Sequence, residues 1–521
     1  MRRRTADGTT LQGLAQPSPW SRSMYLAKSD YTHYYLQCPI HLWAWKHRRA
    51  ELERIAQDPA RLWMLEQGAS VESIARLRFP EGRLIEAYPD DAAIRTRVQM
   101  DAGATTLFQA TAMGGRLLAM ADILRLDSAA KQPAEHAAKR WDLFEVKSST
   151  DPKNEHIHDL CFQRMAFRNA GYKIGRLHLV YVNREFIRNG EIDPHAFLVV
   201  KDMTESVDAI EDAVAANVAH ALNVIDQTAV PTRQSLACTC TPTECPCGQY
   251  CYPELPAYSI FDLARIGGER ARTLYDQGIR AIDDLPNDFK LTEPQACQVK
   301  VARSGKPLIR RAEILEALQK LSYPLYFLDY ETFSSAIPLF DGYKPYQQIV
   351  FQYSLHIQRS PGGAAEHREY LSDDLRDPLH DVTSRLRADI GDLGNVIVWN
   401  KSFEMGRNAE MAARAPEHAP FLNALNDRMF DLMEVFLNQL YVHPRFRGRY
   451  SIKNVLPVLV PNLSYDDRAI KEGSMASLTW YRMLTDVRDA KARAKACNDL
   501  REYCALDTLA MVEIFRYLTA L

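Results

Sequence analysis

The pattern of hydrophobic and polar positions divides the 521-residue chain into two regions in which strand-like and helix-like segments alternate. Three apolar runs in the first region are typical of strands: 116–126, 141–149 and 176–183. Residues 156–171 have helical spacing and end at Gly171. Strands that enclose a helix in this order predict an α/β domain, which we place at 24–256.

A second α/β pattern begins at Tyr323, and we assign a domain to 321–521. Between the two regions, 257–320 has helical character and predicts a helical linker, in which 264–286 resembles a helix–hairpin–helix or a plain helical connection. Small polar residues dominate the start of the chain, so residues 1–23 are predicted to form a flexible tail.

Two of the apolar runs carry charges at alternate positions. The stretch YPLYFLDYETFSS contains Asp329 and Glu331, and WDLFEVKSST contains Glu145 and Lys147. Because side chains alternate across a strand, residues two apart share one face. Burial of unpaired charge costs several kcal/mol, so something must compensate, and a divalent metal ion is the simplest candidate.

Composition narrows the possible partners. Hydrophobic residues make up 46% and charged residues 25% of the chain, as in ordinary globular proteins, and the net charge is −2. Nucleic-acid binding would therefore need a local basic surface. One candidate is 443–453, where three arginines and Lys453 alternate with aromatic residues beside the second group of acids.

The chain lacks the features of a secreted or membrane protein. Its first residues, MRRRTADGTTLQG, contain arginines with no apolar stretch behind them, unlike a secretory signal. There is also no run of about 18 apolar residues. We therefore expect a cytoplasmic protein with no membrane partner.

A first set of candidate catalytic residues lies in the first region. Asp122 sits in the strand-like run before Glu145 and Lys147, and Gln163 follows on the predicted helix. Two carboxylates can hold Mg²⁺ or Mn²⁺, and Lys147 would orient or deprotonate the attacking water. The alternative is a salt-bridged pair of strands without catalytic activity.

A second set is spread over the last 200 residues or so of the chain. Its members are acids on a strand, a helix start and a late helix, with one tyrosine: Asp329, Glu331, Glu404, Tyr503 and Asp507. Tyr503 and Asp507 are i and i+4 and share a helix face. Asp329 would bridge two metal ions, Glu331 and Asp507 would flank them, and Tyr503 would hold the water. Helix capping and chance are the alternative explanations.

The first set resembles the core of RecB-like PD-(D/E)XK nucleases. In that family the later glutamine, here Gln163, helps to position the site, and Asp122, Glu145 and Lys147 match the catalytic motif. Many relatives carry a metal-binding histidine upstream of the aspartate. The corresponding stretch here, 66–80, has none, and Glu72 is the candidate substitute.

Ten cysteines are present, and half of them crowd into 238–251, which indicates a metal or cluster site. Residues 29–47, which include Cys38, are predicted to form an aromatic helix with Ser29 as its N-cap. Together with Cys38, the cysteine group resembles the iron–sulfur subgroup of those nucleases. The resemblance favours four ligands: Cys38, Cys240, Cys245 and Cys251. Cys238 is a close rival of Cys240. A [4Fe–4S] cluster is expected, with Zn²⁺ as the alternative.

The second set resembles DnaQ-like 3′–5′ exonucleases of the RNase H-like fold, in the subtype with tyrosine in its third motif (DEDDy). Asp329 and Glu331 match the first motif, and Tyr503 and Asp507 the third. Glu404 matches the second, where most such enzymes have aspartate, and Asp431 is a backup candidate. The whole chain resembles a bacterial family that fuses a RecB-like nuclease to a DnaQ-like exonuclease.

These resemblances imply a metal-dependent dual nuclease that hydrolyses phosphodiesters of DNA and favours single-stranded ends. The second half would degrade from 3′ ends, in repair, recombination or defence against foreign DNA. Two alternatives stay open. One is a non-catalytic nucleic-acid scaffold in which one or both sites have decayed, and the other is an exonuclease that processes RNA.

Overall fold

The structure is a computed structural model, and it describes five stretches and one isolated residue: 25–56, 59–86, 89–127, 139–232, 242 and 245–521. The predicted tail and the two rival cysteines, Cys238 and Cys240, lie outside the described residues. Two large sheets with helices against them confirm the predicted α/β class. No helix in this part of the chain combines the length and the apolar run that crossing a membrane requires.

The strands, in chain order, are Leu26–Ala27 (β1), Arg83–Leu84 (β2), Thr106–Gly114 (β3), Leu117–Leu126 (β4), Arg140–Lys147 (β5), Lys173–Val182 (β6), Leu198–Asp202 (β7), Leu308–Ile309 (β8), Leu325–Phe333 (β9), Ile349–Gln358 (β10), Ala365–Leu371 (β11), Asn395–Val398 (β12), Met429–Asp431 (β13) and Tyr441–Val442 (β14). Three of the predicted strands are therefore present as β4, β5 and β6.

The α-helices are Lys28–Asp30 (α1), Pro39–His47 (α2), Arg49–Ala56 (α3), Pro59–Arg76 (α4), Pro89–Asp101 (α5), Asn154–Asn169 (α6), Pro194–Phe197 (α7), Thr204–Asp208 (α8), Glu211–Asp226 (α9), Gly248–Cys251 (α10), Gly268–Asp276 (α11), Glu293–Ser304 (α12), Arg311–Gln319 (α13), Leu379–Asp389 (α14), Lys401–Arg414 (α15), Ala419–Asp427 (α16), Glu434–Leu437 (α17), Ile452–Leu459 (α18), Gly473–Thr485 (α19) and Ala490–Thr519 (α20). The predicted helix over 156–171 corresponds to α6.

The first sheet has the order β2-β3-β4-β5-β6-β7, and β1 adds to it by pairing with β4. The long strand β4 changes partner along its length. Leu117 near its start pairs with β1, whereas the pairing with β5 runs only from Ile123 onward. A gap therefore opens between β1 and β5, next to the middle of β4. The C-terminal end of helix α6 lies so close to β3 that a Cβ atom on Gly114 would clash with the backbone of Asn169 and Ala170.

The second sheet has the order β11-β10-β9-β12-β13. Strands β9, β10 and β11 are antiparallel neighbours, whereas β12 runs parallel to β9 on its other side. Alternate residues of β9 enter different cores. The Phe327 ring lies 5.6 Å from Phe515 of α20, and Leu328 packs on the opposite face with Val382 and Leu422. The central strand β9 is thus buried on both faces.

Residues 257–320 contribute to the cores of both halves. Ile260, Leu274 and Ile282 belong to the core of the first half, whereas Ile314 and Leu318 belong to that of the second. The short strand β8 also pairs with β14 in a two-stranded antiparallel sheet. This segment therefore packs against both halves along its length.

Direct contacts join the two halves beside β9. The backbone N–H of Ala336 donates to Oε1 of Gln67 on α4 at 2.9 Å, inside the protein. Trp63, also on α4, packs 4.8 Å from the Tyr481 ring. Tyr346 donates to the carbonyl of Ser148, directly after β5, at 2.7 Å. Helix α4 of the first half is therefore held against the central strand of the second.

The predicted aromatic helix with Ser29 as its N-cap is wrong in its details. Ala27 occupies the N-cap of α1, and its N–H donates to the Asp30 carboxylate at 2.9 Å. The chain then forms a π-helical turn over Tyr31–Tyr35 and becomes extended at Cys38, directly before α2. Proline disfavours a helical conformation in the residue before it, so Pro39 places Cys38 at a break between helices.

Candidate active sites

The first candidate site lies in the gap where β4 separates from β5. There the N–H of Val146 donates to Oδ2 of Asp122 at 2.8 Å, in place of a ladder bond. Oε1 of Glu145 accepts from Nζ of Lys28 at 2.6 Å and from Nζ of Lys147 at 2.8 Å. The structure thus brings together the acids and the lysine that the sequence predicted, and adds a second lysine.

Helix α6 supplies the remaining polar groups of this site. Gln163 is fully buried, and its Nε2 donates to the other carboxylate oxygen of Glu145 at 2.6 Å. Asp159 lies one turn earlier on the same face and pairs with Lys147. Glu145 is therefore held by three donors from three elements, which fixes its orientation.

The two acids of this site have opposite protonation tendencies. Burial and the neighbouring charge of Glu145 raise the pKa of Asp122 to about 8. Burial also acts to raise the pKa of Glu145, but Lys147 and Lys28 outweigh it and lower that pKa to about 2. Glu145 is ionised at neutral pH, whereas Asp122 keeps its proton unless a further cation arrives.

Glu72, the proposed substitute for the family's histidine, lies beside this site. Nε2 of Gln109 donates to Oε1 of Glu72 at 2.5 Å and reaches Oδ1 of Asp122 at 3.4 Å. Gln109 has a positive φ of 56° and interrupts the regular pairing of β3 with β4 opposite Asp122. Such strained backbone often accompanies functional sites, and here it places an amide between the two acids.

The second candidate site is built from β9, α15 and α20. Asp329 and Glu331 lie on one face of β9, and Glu404 is in the first turn of α15. Tyr503 and Asp507 are one turn apart on α20. The structure therefore brings together residues from three distant parts of the chain, as the sequence predicted.

Asp431 has a structural role next to this site. Its carboxylate accepts from the N–H of Asn400 at 3.1 Å and from that of Lys401 at 2.9 Å, and so it caps α15. Asn400 has a φ of 82°, which lets the chain turn from β12 into the helix. This cap positions Glu404, so Asp431 acts on the site through α15 and is a positioning residue.

Three further side chains complete the second site. Tyr465 donates to Oδ1 of Asp507 at 2.6 Å, and Nζ of Lys453 approaches the Tyr503 hydroxyl at 3.4 Å. The thiol of Cys504 faces Oδ2 of Asp329 at 3.9 Å. Lys453 belongs to the predicted basic stretch 443–453, lies in the first turn of α18, and contacts Tyr503 rather than the acids.

Burial, with charge repulsion added to it, shifts the pKa values of the acids in the second site. Burial raises the pKa of Asp329 and of Glu331 well above the ordinary range, and the charge of Asp507 adds to both shifts. Burial also raises the pKa of Asp507 to about 6 and that of Glu404 to about 8. Oε2 of Glu404 is buried, and no group in the described part of the chain forms a hydrogen bond with it. The site is thus short of positive charge.

A cavity of about 620 Å³ opens over these acids. Asp329, Glu331, Tyr503 and Asp507 line one side of it. Helix α4 and Ser148 of the first half line the other side, with the exposed side chain of Met64 among the lining groups. Because Ser148 adjoins Lys147, the cavity extends toward the first site.

Part of the predicted cysteine site can be located. Cys38 and Cys245 pack against the same core cluster, in which Cys251 is buried. The ring of Tyr250 contacts Trp43 of α2 edge-on at 5.7 Å. The chain around Cys251 therefore lies against the helix that follows Cys38, as a shared cluster requires, whereas Cys240 lies outside the described residues.

Sequence reasoning missed several members of the two sites. Asp159 could have been found, because it is four residues before Gln163 on a predicted helix face. Cys504 has a similar signal, since it is three residues before Asp507. Lys28 and Tyr465 offered none, because neither lies at a periodic position of a predicted element next to the acids.

Comparison with known proteins gives one family match. Residues 326–451 match the model of a domain of unknown function (DUF2779). The matched segment contains Asp329, Glu331 and Glu404, but it ends before Tyr503 and Asp507. It therefore covers two of the three chain segments that form the second site.

Curated relatives come from Mycoplasma and Ureaplasma. The chain is 31% identical over 215 residues to the uncharacterized protein MG366 homolog of Mycoplasma pneumoniae, an alignment covering 38% of this chain and 32% of that protein. It is 27% identical over 284 residues to the uncharacterized protein UU173 of Ureaplasma parvum, covering 50% and 40%. The chain thus spans between about a third and two fifths of the length of these relatives.

Proposed function

We propose that this protein is a metal-dependent dual nuclease that hydrolyses phosphodiesters of DNA, with single-stranded ends favoured. One observation carries the proposal: Asp329 and Glu331 of β9 and Asp507 of α20 line one cavity together with Tyr503, and the buried Glu404 of α15 is close enough for its charge to act on Asp329. Burial of so many like charges is destabilising, and active sites are where such arrangements occur. The strand order β11-β10-β9-β12-β13 agrees with the RNase H-like sheet that the DnaQ resemblance implies.

The chemistry of the donor groups fits magnesium or manganese at the second site. Asp329, Glu331, Glu404 and Asp507 would hold the ions through carboxylate oxygens, the ligands that these metals prefer. The unpartnered Oε2 of Glu404 is one acceptor that a cation would satisfy. When bound, the metal supplies the positive charge that the transition state of phosphodiester hydrolysis needs.

The protein's own groups would divide the remaining work. Tyr503 presents a hydroxyl to the cavity, held near Lys453, and would orient the attacking water. Tyr465 fixes Asp507 through its hydrogen bond. Trp63 on α4 would border the terminal nucleotide, because aromatic groups that line such cavities can stack on bases.

The first site would act as a separate RecB-like nuclease centre. Asp122 and Glu145 would hold one metal ion, Gln163 would keep Glu145 in place, and Lys147 would orient the water. Four cysteines, Cys38, Cys240, Cys245 and Cys251, would hold a [4Fe–4S] cluster, with Zn²⁺ as the alternative occupant. The cluster would fasten α2 to the end of this half.

Cleavage of end-labelled single strands tests the proposal. Purified protein with Mn²⁺ should release nucleotides from the 3′ end of DNA. Asp329→Asn should slow this release by at least about a hundredfold, as loss of a group that stabilises the transition state typically does. Cleavage that remains in Asp329→Asn but disappears when Asp122→Asn is added belongs to the first site. Glu316→Gln changes an exposed acid that pairs with Lys320 and belongs to neither site, and it is the control.

Other results would contradict parts of the proposal. Binding of DNA without cleavage, in Mg²⁺ and in Mn²⁺, would favour a scaffold in which both sites have decayed. Preferential cleavage of an RNA of the same sequence would redirect the proposal to RNA processing. If metal analysis finds zinc and no iron, Zn²⁺ replaces the [4Fe–4S] cluster as the proposed occupant of the cysteine site.

A further inference from the structure

The second site contains a sulfur donor that the carboxylate motifs do not account for. Cys504 is completely buried, and its Sγ belongs to a group with carboxylate oxygens of Asp329 and Glu331 in which all three atoms lie within 4.8 Å of one another. Within the described residues, the other such group, His380, Glu417 and His418, is largely exposed. The Cys504 group is therefore the more enclosed of the two.

Glu331, a member of this group, has a carboxylate that receives no hydrogen bond from the described residues. Glu331 is 7% exposed and lines the cavity, yet no donor in the described part of the chain hydrogen-bonds to its carboxylate. A buried carboxylate without a donor is costly, and a cation is the simplest partner. The thiol of Cys504 points at Asp329, the other carboxylate of the group, rather than into an apolar core.

We propose that Cys504 is a metal ligand of the second site, together with Asp329 and Glu331, and that this position therefore accepts thiophilic ions such as Zn²⁺, Co²⁺ and Cd²⁺ in addition to Mn²⁺. Thiolates bind such metals far better than they bind Mg²⁺. Binding breaks the S–H bond of Cys504: the sulfur lone pair forms the bond to the metal, and the proton passes to solvent.

This inference rests on the proposed function, because it concerns the metal of the same site. It adds a consequence for regulation. A thiophilic ion held through sulfur would bind more tightly than Mn²⁺ and would occupy the position that the working ion needs. Zn²⁺ or Cd²⁺ would then inhibit the second site, and removal of the sulfur would relieve the inhibition.

The test is a spectroscopic titration with Co²⁺, whose bond to a thiolate gives charge-transfer absorption. The parent protein is compared with Cys504→Ser, which keeps a polar group of similar size beside Asp329, and with Cys497→Ser. Cys497 is the matched control, because it is buried on the same helix but contacts Met483 outside the site. The cysteines of the first half are unchanged in all three proteins, so their absorption cancels in difference spectra.

We expect Cys504→Ser to lack one cobalt–thiolate contribution that both the parent and Cys497→Ser retain. Its affinity for Cd²⁺ should fall by at least about tenfold, while its affinity for Mn²⁺ changes less. Circular dichroism checks that the variant is folded, and Cys504→Ala provides a second form without sulfur. The same Co²⁺ spectrum in all proteins, at equal stoichiometry, would overturn the inference. His418→Ala, which changes the other group of possible metal ligands, should leave the cobalt–thiolate absorption of Cys504 unchanged.

Cleavage assays on the same proteins separate this inference from the proposed function. If Cys504→Ser loses the cobalt–thiolate contribution but none of the proteins cleaves DNA, Cys504 is a metal ligand and the proposed nuclease activity is wrong. If the parent cleaves DNA but Cys504 gives no thiolate contribution, the nuclease proposal stands and Cys504 is not a metal ligand. Cd²⁺ should inhibit 3′ cleavage by the parent and by Cys497→Ser more strongly than by Cys504→Ser.

Discussion

The two candidate sites solve the problem of buried charge in different ways. In the first, Lys28 and Lys147 both contact Glu145, and Lys147 also pairs with Asp159. In the second, four carboxylates face one another, and the nearest lysine, Lys453, reaches the Tyr503 hydroxyl instead of making an ion pair. The first site is close to electrical balance by itself, whereas the second is not.

This difference indicates that the second site, and not the first, depends on an added cation for its stability. A balanced cluster of ion pairs can hold its geometry without metal, although loss of one partner is expensive. A cluster of like charges raises the free energy of the folded protein until protons or metal ions neutralise it. The second site therefore lowers the stability of the folded protein in the absence of metal, and it provides a position that favours divalent ions.

The largest expected effect is at the first site. Lys147→Met removes one of two cations from Glu145 and the ammonium group that donates to Oδ2 of Asp159. Within the described residues, the other carboxylate oxygen of Asp159 is buried without a hydrogen-bond partner. Loss of one member of a buried ion pair costs about 3–5 kcal/mol. Urea denaturation followed by circular dichroism should show this loss in the transition of the first half.

Two controls sharpen that result. Lys320→Met breaks a highly exposed pair with Glu316 and should cost no more than about 0.5 kcal/mol. Asp329→Asn removes one of the repelling acids of the second site, so its effect in EDTA should have the opposite sign and stabilise the protein. If Lys147→Met and Asp329→Asn both destabilise equally, the contrast between the sites is wrong.

Metal addition gives the next largest effect. Mn²⁺ at about 100 times its dissociation constant should raise the free energy of unfolding by about 2.7 kcal/mol. Most of this gain should disappear in Asp329→Asn and persist in Asp122→Asn, because the unbalanced charge is in the second site. Thermal melts in EDTA and in Mn²⁺ measure it. A gain that is lost only in Asp122→Asn would place the dominant metal in the first half.

Local spacing explains why the sequence predicted most of the acids. Asp329 and Glu331 are two apart on a strand, and Tyr503 and Asp507 are four apart on a helix, so each pair shares a face in any fold that keeps its element. The two pairs meet because of the order of strands in the sheet, and this order was expected only from the resemblance to DnaQ-like exonucleases. The α/β class followed from the same alternation of strands and helices.

The remaining members depend on tertiary contacts that no local pattern contains. Lys28 is 117 positions from Glu145 and reaches it because β1 adds to the edge of β4 left free by β5. Tyr465 lies between helices, where no periodicity marks its direction. The Ser29 cap failed for a local reason instead: the N–H of Ala27 donates to the Asp30 carboxylate, and Pro39 interrupts the helix.

A pH dependence of stability comes third. Burial raises the pKa of Glu404 from the ordinary value of about 4.5 to about 8, so between these limits the folded protein keeps a proton that the unfolded chain has lost. In EDTA the free energy of unfolding should therefore fall as pH rises, by about 1.4 kcal/mol per pH unit for this group. Glu404→Gln should remove that slope.

Denaturation at pH 6 and pH 7 measures the change, with Glu316→Gln as the exposed control that should keep the parent's slope. Mn²⁺ should flatten the parent's slope as well, because metal ions take the place of protons on the carboxylates. An equal slope in the parent and in Glu404→Gln would show that the proton resides on other groups.

The smallest effect concerns the contact between the two sites. Tyr346→Phe removes the hydrogen bond from the second half to the carbonyl of Ser148, beside Lys147, and should cost about 1 kcal/mol. Tyr343→Phe is the matched control, because Tyr343 donates to Asp377 within the second half, at 2.9 Å. Both variants lose one tyrosine hydrogen bond, but only Tyr346→Phe weakens the junction of the halves. Its urea transitions, followed by hydrogen exchange in β5 and β9, should therefore separate further than those of Tyr343→Phe. Equal separation in the two variants would mean that other contacts between the halves, such as those of Gln67, Trp63 and Arg188, hold them together without help from Tyr346.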